Sequence, residues 1–174
     1  MNKKYLYKGK IVKVYSKKVD LGNISFEKDY IKTPDRVVIV PIVEKERLLL
    51  LKFPCLAISR SKVKFSLRFP RGVIDENETS LNAAKREFLE ETGFKAKKFI
   101  KLSGEYYPNP TVMEEKWSVF VATDISEVKG YEKDSWEDWG VVSLSVEEVE
   151  QKIRKNEIFD ASAIIAFYMY KLGS

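Results

Sequence analysis

Three glutamates, Glu87, Glu90 and Glu91, stand at i, i+3 and i+4, the spacing that brings side chains out along one stripe of a helix. Like charges so placed destabilise a helix by roughly a few tenths of a kcal/mol per pair. Their position near its negative end adds to that cost. A hard divalent cation reverses the balance, because Mg²⁺ and Mn²⁺ prefer oxygen ligands and gain from several anionic ones at once. Around them, the stretch from Gly72 to Phe94 carries six carboxylates and two basic side chains, inside a chain of formal net charge +5. Clustered carboxylates repel unless a cation sits among them. The chain has no histidine, which excludes an imidazole base, a Ser-His-Asp triad and His-ligated metal sites. Proton transfer and metal binding must therefore run mainly on carboxylates.

The wider pattern is more specific. Gly72, five residues, Glu78, seven residues, then Arg86-Glu87-Phe88-Leu89-Glu90-Glu91-Thr92-Gly93-Phe94 resembles the Nudix box at every defined position. From average residue frequencies such a match arises by chance on the order of 10⁻⁷ per chain. The resemblance implies a loop, helix and loop that grip divalent cations bound to a diphosphate, with Mg²⁺ as cofactor and Mn²⁺ as a substitute. It implies that Glu87, Glu90 and Glu91 ligate metal, with a backbone carbonyl near Arg71 or Gly72 as a further ligand. Arg86 would hold the carboxylates in place by charge-assisted hydrogen bonds. Gly72 would let backbone approach the metal, Glu78 would brace the loop, and Gly93 would close the helix.

Beyond the box, the chain resembles the ADP-ribose pyrophosphatase branch of that family. Tyr30-Ile31-Lys32-Thr33-Pro34 is similar to the end of that branch's N-terminal hairpin, and Glu157-Ile158-Phe159-Asp160-Ala161 to the approach to its last helix. The resemblance implies hydrolysis of ADP-ribose to AMP and ribose 5-phosphate, and a homodimer in which the hairpin helps build the partner's adenosine pocket. Leu102 to Glu115 would be the substrate loop, and the acidic loop Glu132 to Asp138 would supply the base, with Glu137 the best-matching position and Glu115 the second choice. The chain departs from the branch at four places. Lys52-Phe53-Pro54 replaces Gln-Tyr-Arg, Arg68 replaces a glutamate, Asn109-Pro110-Thr111 replaces Ser-Pro-Gly, and Ser135 replaces an acid. These leave open another nucleotide sugar, a dinucleoside polyphosphate or capped RNA as substrate. A non-catalytic nucleotide-binding regulator would be expected to lose one of the three glutamates, and none is lost.

Substrate contacts are sought among the cations and aromatics of loops. Arg60, Arg68 and Arg71 suit phosphates. Tyr107 and Trp136 suit stacking on a base or ribose, with Pro110 beside them, whereas Trp117, inside an apolar run, suits the core. Seven lysines and no acid lie in residues 1–18, a surface attractive to polyanions, but no RNA-binding motif accompanies them. Cys55 is the only cysteine and forms no internal disulfide.

The elements that must position these residues follow from pattern. Apolar runs and turn residues predict strands near Gly9 to Ser16, Ile24 to Ile31, Val37 to Val43, Leu48 to Phe53, Phe65 to Phe69, Phe99 to Tyr107, Trp117 to Thr123 and Trp139 to Ser143. Helices are predicted over Thr79 to Thr92, with Leu81, Ala84 and Phe88 inward, over Ser145 to Lys155 and over Asp160 to Leu172. Strands first, one helix in mid-chain and helices last predict an α/β fold, a mixed β-sheet sandwiched between helices. Residues 1–34 are read as an N-terminal β-hairpin extension and 35–174 as the hydrolase domain. No apolar run reaches the roughly 20 residues of a membrane span, no signal segment is apparent, and the chain reads as cytoplasmic.

Overall fold

The glutamate-bearing segment folds as the sequence pattern requires. In a computed structural model, which describes residues 3–58, 62, 64–102, 104–132 and 140–173, it forms helix α1, Ser80–Thr92. The Thr79 hydroxyl accepts from the Asn82 amide at its start. Gly93, at φ 78°, closes the other end by donating to the Leu89 carbonyl, a left-handed cap that favours glycine. The inward stripe differs from expectation at one residue. Ala83, Ala84 and Phe88 are fully buried, whereas Leu81 is 39% exposed, because Ala83 takes the inner position over Val37 and Ile39.

Beneath α1 lies a mixed seven-stranded sheet. Its strands are β4 (Arg36–Val43), β5 (Arg47–Pro54), β6 (Phe65–Arg68), β7 (Arg71–Val73), β8 (Phe94–Lys101), β10 (Trp117–Glu127) and β11 (Val141–Leu144). The order is β11-β5-β4-β10-β8, with β6 beside β5 and β7 beside β4. Alternation along β4 divides the core. Val37 and Ile39 pack under Ala83, Ala84 and Phe88 of α1. Val38 and Val40 face Ala163, Ala166 and Phe167 of α3 (Ala161–Gly173), with Val149 of α2 (Val146–Arg154) alongside. Both faces of the sheet are therefore covered by helices, the expected α/β sandwich.

β4 and β10 run parallel, Val38 opposite Val119. On its other edge β4 divides its partners, pairing β7 through Arg36–Val38 and β5 through Ile42 and Val43. The three residues of β7 are too few to carry a periodic signal, so the sequence pattern did not indicate them. The strand expected from Phe99 starts instead at Phe94, directly after the Gly93 cap, and ends at Lys101. Beyond it, Tyr106 only bridges to Trp117.

A second sheet, β1-β2-β3-β9, comprises Lys4–Lys8, Lys13–Asp20, Ser25–Lys32 and Met113–Glu114. The N-terminal segment is thus three strands rather than a two-stranded hairpin. β1 escaped notice because all five of its residues are exposed, leaving no apolar alternation to read. The strand expected at Gly9 begins at Lys13, since the Gly9 amide turns back to the Val12 carbonyl. No helix of the described residues is long and apolar enough to cross a membrane.

Candidate active site

Arg86 organises the loop and helix of the glutamate segment. Its Nε and Nη2 donate to the two oxygens of Glu78 at 3.1 and 2.8 Å, a two-pronged pair. Nη2 also donates to the Val73 carbonyl at 2.8 Å. The third nitrogen, Nη1, donates to Glu87 at 2.8 Å and Glu90 at 3.0 Å. One guanidinium therefore ties β7 and the following loop to the last turns of α1. The Arg86 side chain holds the Glu78 carboxyl below the usual range.

Each glutamate has its own surroundings. Glu87 is mostly buried, and burial raises its carboxyl above the usual value in spite of Arg86. It lies directly over Gly72, where an added Cβ would stand 1.8 Å from the Glu87 carboxyl carbon. Gly72 is required here for want of space, and no other residue type could keep Glu87 in place. Glu90 is the most open of the three, its side chain 42% exposed. Glu91 is buried. Its Oε1 accepts from Arg68 Nη2 at 2.6 Å and its Oε2 from the Arg71 amide at 2.9 Å.

Among the described residues, no three metal-binding side chains stand ready-made around one point. The donor set nonetheless fits a hard cation. One oxygen of Glu87 and one of Glu90 converge on a single cationic nitrogen, Arg86 Nη1, and Gly72 leaves room for the Glu87 carboxylate and no more. These oxygens are the ligand type that Mg²⁺ and Mn²⁺ select.

Two of the three arginines expected to bind phosphate, Arg68 and Arg71, point inward. Arg68 lies 3.2 Å from the centroid of the Phe53 ring and pairs with Glu91, and burial lowers its guanidinium to about 10. Arg71 donates through Nη1 to Asp160 at 3.1 Å and to Ser162 at 2.6 Å, at the start of α3. Both still line a cavity of about 470 Å³ walled by Phe53, Leu56, Ile58 and Phe159. Tyr107 and Pro110 line a separate cavity of about 640 Å³, between the small sheet and the loop before β10. There Tyr15 and Tyr30 stack at 5.5 Å, and Tyr15 donates to Glu114 at 2.6 Å. The sequence reading did not single out Tyr15, Asp160 or Ser162. Their alternation in β2 and their position at a helix start were the available signals, and both are generic.

Glu115 is buried, and its carboxylate accepts from Thr33 at 2.6 Å and Arg36 at 2.9 Å. Thr33 belongs to the β3–β4 connection and Arg36 opens β4, neither being part of α1, so the structure uses this residue to brace the loop against the start of β4. Arg60, Trp136 and Glu137 lie outside the described residues. Glu132, at the start of the acidic loop, is exposed.

Comparison with known proteins bears on this geometry. A family model described as NUDIX domain matches residues 32–166. An ADP-ribose pyrophosphatase of Bacillus subtilis (strain 168) is 26% identical over 172 residues, spanning 98% of this chain and 90% of the relative. A methanol dehydrogenase activator of Bacillus methanolicus is 23% identical over 171 residues, spanning 96% and 89%. Among solved structures, one described as an ADP compounds hydrolase superposes with a TM-score of 0.81 at 22% identity, covering 99% of this chain and 91% of the other. That last likeness shows the fold.

Proposed function

The chain belongs to the NUDIX domain family, and on that premise we propose that it hydrolyses the pyrophosphate link of a nucleoside diphosphate derivative, foremost ADP-ribose, yielding AMP and ribose 5-phosphate. The observation that carries the reading is the Arg86 fork, which sets Glu87 and Glu90 on one nitrogen above Gly72 while pinning Glu78 and Val73 behind them. The ADP-ribose pyrophosphatase relative, aligned over nearly the whole chain, supports the choice of substrate.

In this reading Glu87, Glu90 and Glu91 would together hold the cation, Mg²⁺ or Mn²⁺, once substrate is bound, with a carbonyl of Arg71 or Gly72 assisting. When bound, such an ion neutralises the diphosphate and lowers the pKa of the attacking water. Arg86 keeps the carboxylates at fixed separation, which matters because misplacement by about 1 Å can cost on the order of 10² in rate. The water oxygen attacks one phosphorus, the bridging P–O bond breaks, and the proton passes to a carboxylate. Glu137 is our choice for that base. Glu115 is the alternative, although Thr33 and Arg36 already occupy its oxygens. Arg68, Arg71 and Arg60 serve the phosphates, and Tyr107, Pro110 and Trp136 the nucleoside. Residues 1–34 act as a dimerisation extension of the 35–174 hydrolase domain, in a cytoplasmic homodimer without nucleic-acid partners.

The test is product analysis with ADP-ribose, other nucleotide sugars, dinucleoside polyphosphates and capped RNA, comparing the protein with Glu90→Gln. That side chain is open enough to change without disturbing the core. AMP and ribose 5-phosphate from ADP-ribose, lost in the variant, is the expected result. Cleavage of another panel member alone moves the substrate. No metal-dependent cleavage of any member would refute the hydrolase reading.

A further inference from the structure

We propose that Arg68 is a built-in counter-cation for Glu91, and that in the free protein it keeps this carboxylate from ligating a divalent ion. The inference rests on the reading of the α1 glutamates as a cation site. The two arginines that serve these glutamates differ.

Arg86 divides its work. Nε and Nη2 hold Glu78 and Val73, and Nη1 alone reaches Glu87 and Glu90. An incoming cation can take those two carboxylates while the rest of the guanidinium stays where it is. Its side chain is also 29% exposed, so water can satisfy a nitrogen that is released.

Arg68 has neither freedom. The side chains of Arg68 and Glu91 are each only 8% exposed, and the pair closes at 2.6 Å. The Arg68 backbone is pinned in β6 opposite Leu51, and its guanidinium carbon sits 3.2 Å from the centroid of the Phe53 ring. Its Nε is buried without a hydrogen-bond partner among the described residues. A cation that took Glu91 would strand a buried guanidinium that already lacks one partner, which is strongly unfavourable. The second Glu91 oxygen is meanwhile engaged by the Arg71 amide. Divalent ions are thus left to Glu87 and Glu90, and Glu91 becomes available only if Arg68 moves.

The experiment is a Mn²⁺ titration, read by electron paramagnetic resonance of the free ion, on the full chain without nucleotide. Glu91→Gln is expected to change the Mn²⁺ dissociation constant by less than about threefold, whereas Arg68→Met tightens it by about tenfold or admits one further ion. In Arg68→Met/Glu91→Gln the gain disappears, and Arg68→Lys, which keeps the charge, stays near the parent. Binding weakened about tenfold or more by Glu91→Gln, or an unchanged curve for Arg68→Met, would overturn the proposal. Should Arg68→Met fail to fold, Glu91→Gln alone decides. If Glu87→Gln also leaves Mn²⁺ binding untouched, the cation reading of α1 fails and this proposal falls with it. A Glu87-dependent site that ignores Arg68 removes the proposal only.

Discussion

Replacing Gly72 by alanine puts one methyl group against the carboxylate that the site can least afford to move. The added carbon would lie 1.8 Å from the Glu87 carboxyl carbon and 2.0 and 2.1 Å from its oxygens, where ordinary contact begins at 3.4 Å. The backbone at Gly72 is not in the left-handed region, so the cost is packing and not torsion. Glu87 must retreat by about 1.5 Å, which breaks the 2.8 Å hydrogen bond from Arg86. The clashing atoms are the end of a flexible side chain that can swing aside, so the stability cost stays at the low end for overpacking, about 1 kcal/mol, or a melting temperature lower by roughly 2–4 °C for a chain of this size. Displacement of a ligand by more than 1 Å should cost on the order of 10²-fold in turnover. The assay is metal-dependent release of AMP from ADP-ribose alongside a thermal melt. Gly22→Ala serves as control, since that glycine has φ +85° and nothing within 4 Å. It should lose about 1–2 kcal/mol of stability and no turnover. If Gly72→Ala kept turnover within about threefold of the parent, Glu87 would not be held where the chemistry occurs.

Two further outcomes follow from the loop before β10. The Glu114 carboxyl is held down to about 2 by hydrogen bonds from Lys3, Tyr15 and Lys32. A depressed carboxylate stabilises fully above its ordinary value of 4.5, and that contribution is lost as pH falls through about 2. Hydrogen exchange of the β1–β3 amides should therefore speed up across this window in the parent and stay flat in Glu114→Gln; equal acid sensitivity in both would refute it. For Glu115→Gln, loss of a buried hydrogen-bonded carboxylate should cost about 1–3 kcal/mol and leave kcat within about threefold. A fall of a hundredfold or more would make Glu115 the base after all.

Much of this was legible in the sequence, for identifiable reasons. Thr79 and Gly93 bound α1 because capping chemistry is local. The near-continuous apolar run from Val37 to Val43 foretold a buried strand. The box spacing brought Glu78, Arg86, Glu87 and Glu90 together, since a helix and one loop suffice to do so. What escaped depends on contacts distant in sequence. The pair of Arg68 with Glu91 spans 23 residues, Glu115 meets Thr33 across 82, and Arg71 meets Ser162 across 91. Pattern and propensity carry no record of such meetings. Leu81 was misplaced for a related reason, because which side of the first turn meets the sheet is set by the sheet.

The divided edge of β4 gives the molecule a modular future. One half-edge, through β7, carries the strip that lies under the glutamates of α1. The other, through β5 and its partner β6, carries Phe53 and the walls of the neighbouring cavity. Residues 54–58 lie off that strip, so the shape of the cavity can be redrawn while β7 keeps its pairing with β4. Arg68 ties the two halves together, against Phe53 on one side and paired with Glu91 on the other, so a lineage that retunes the cavity must either keep that residue or rebuild both sides together.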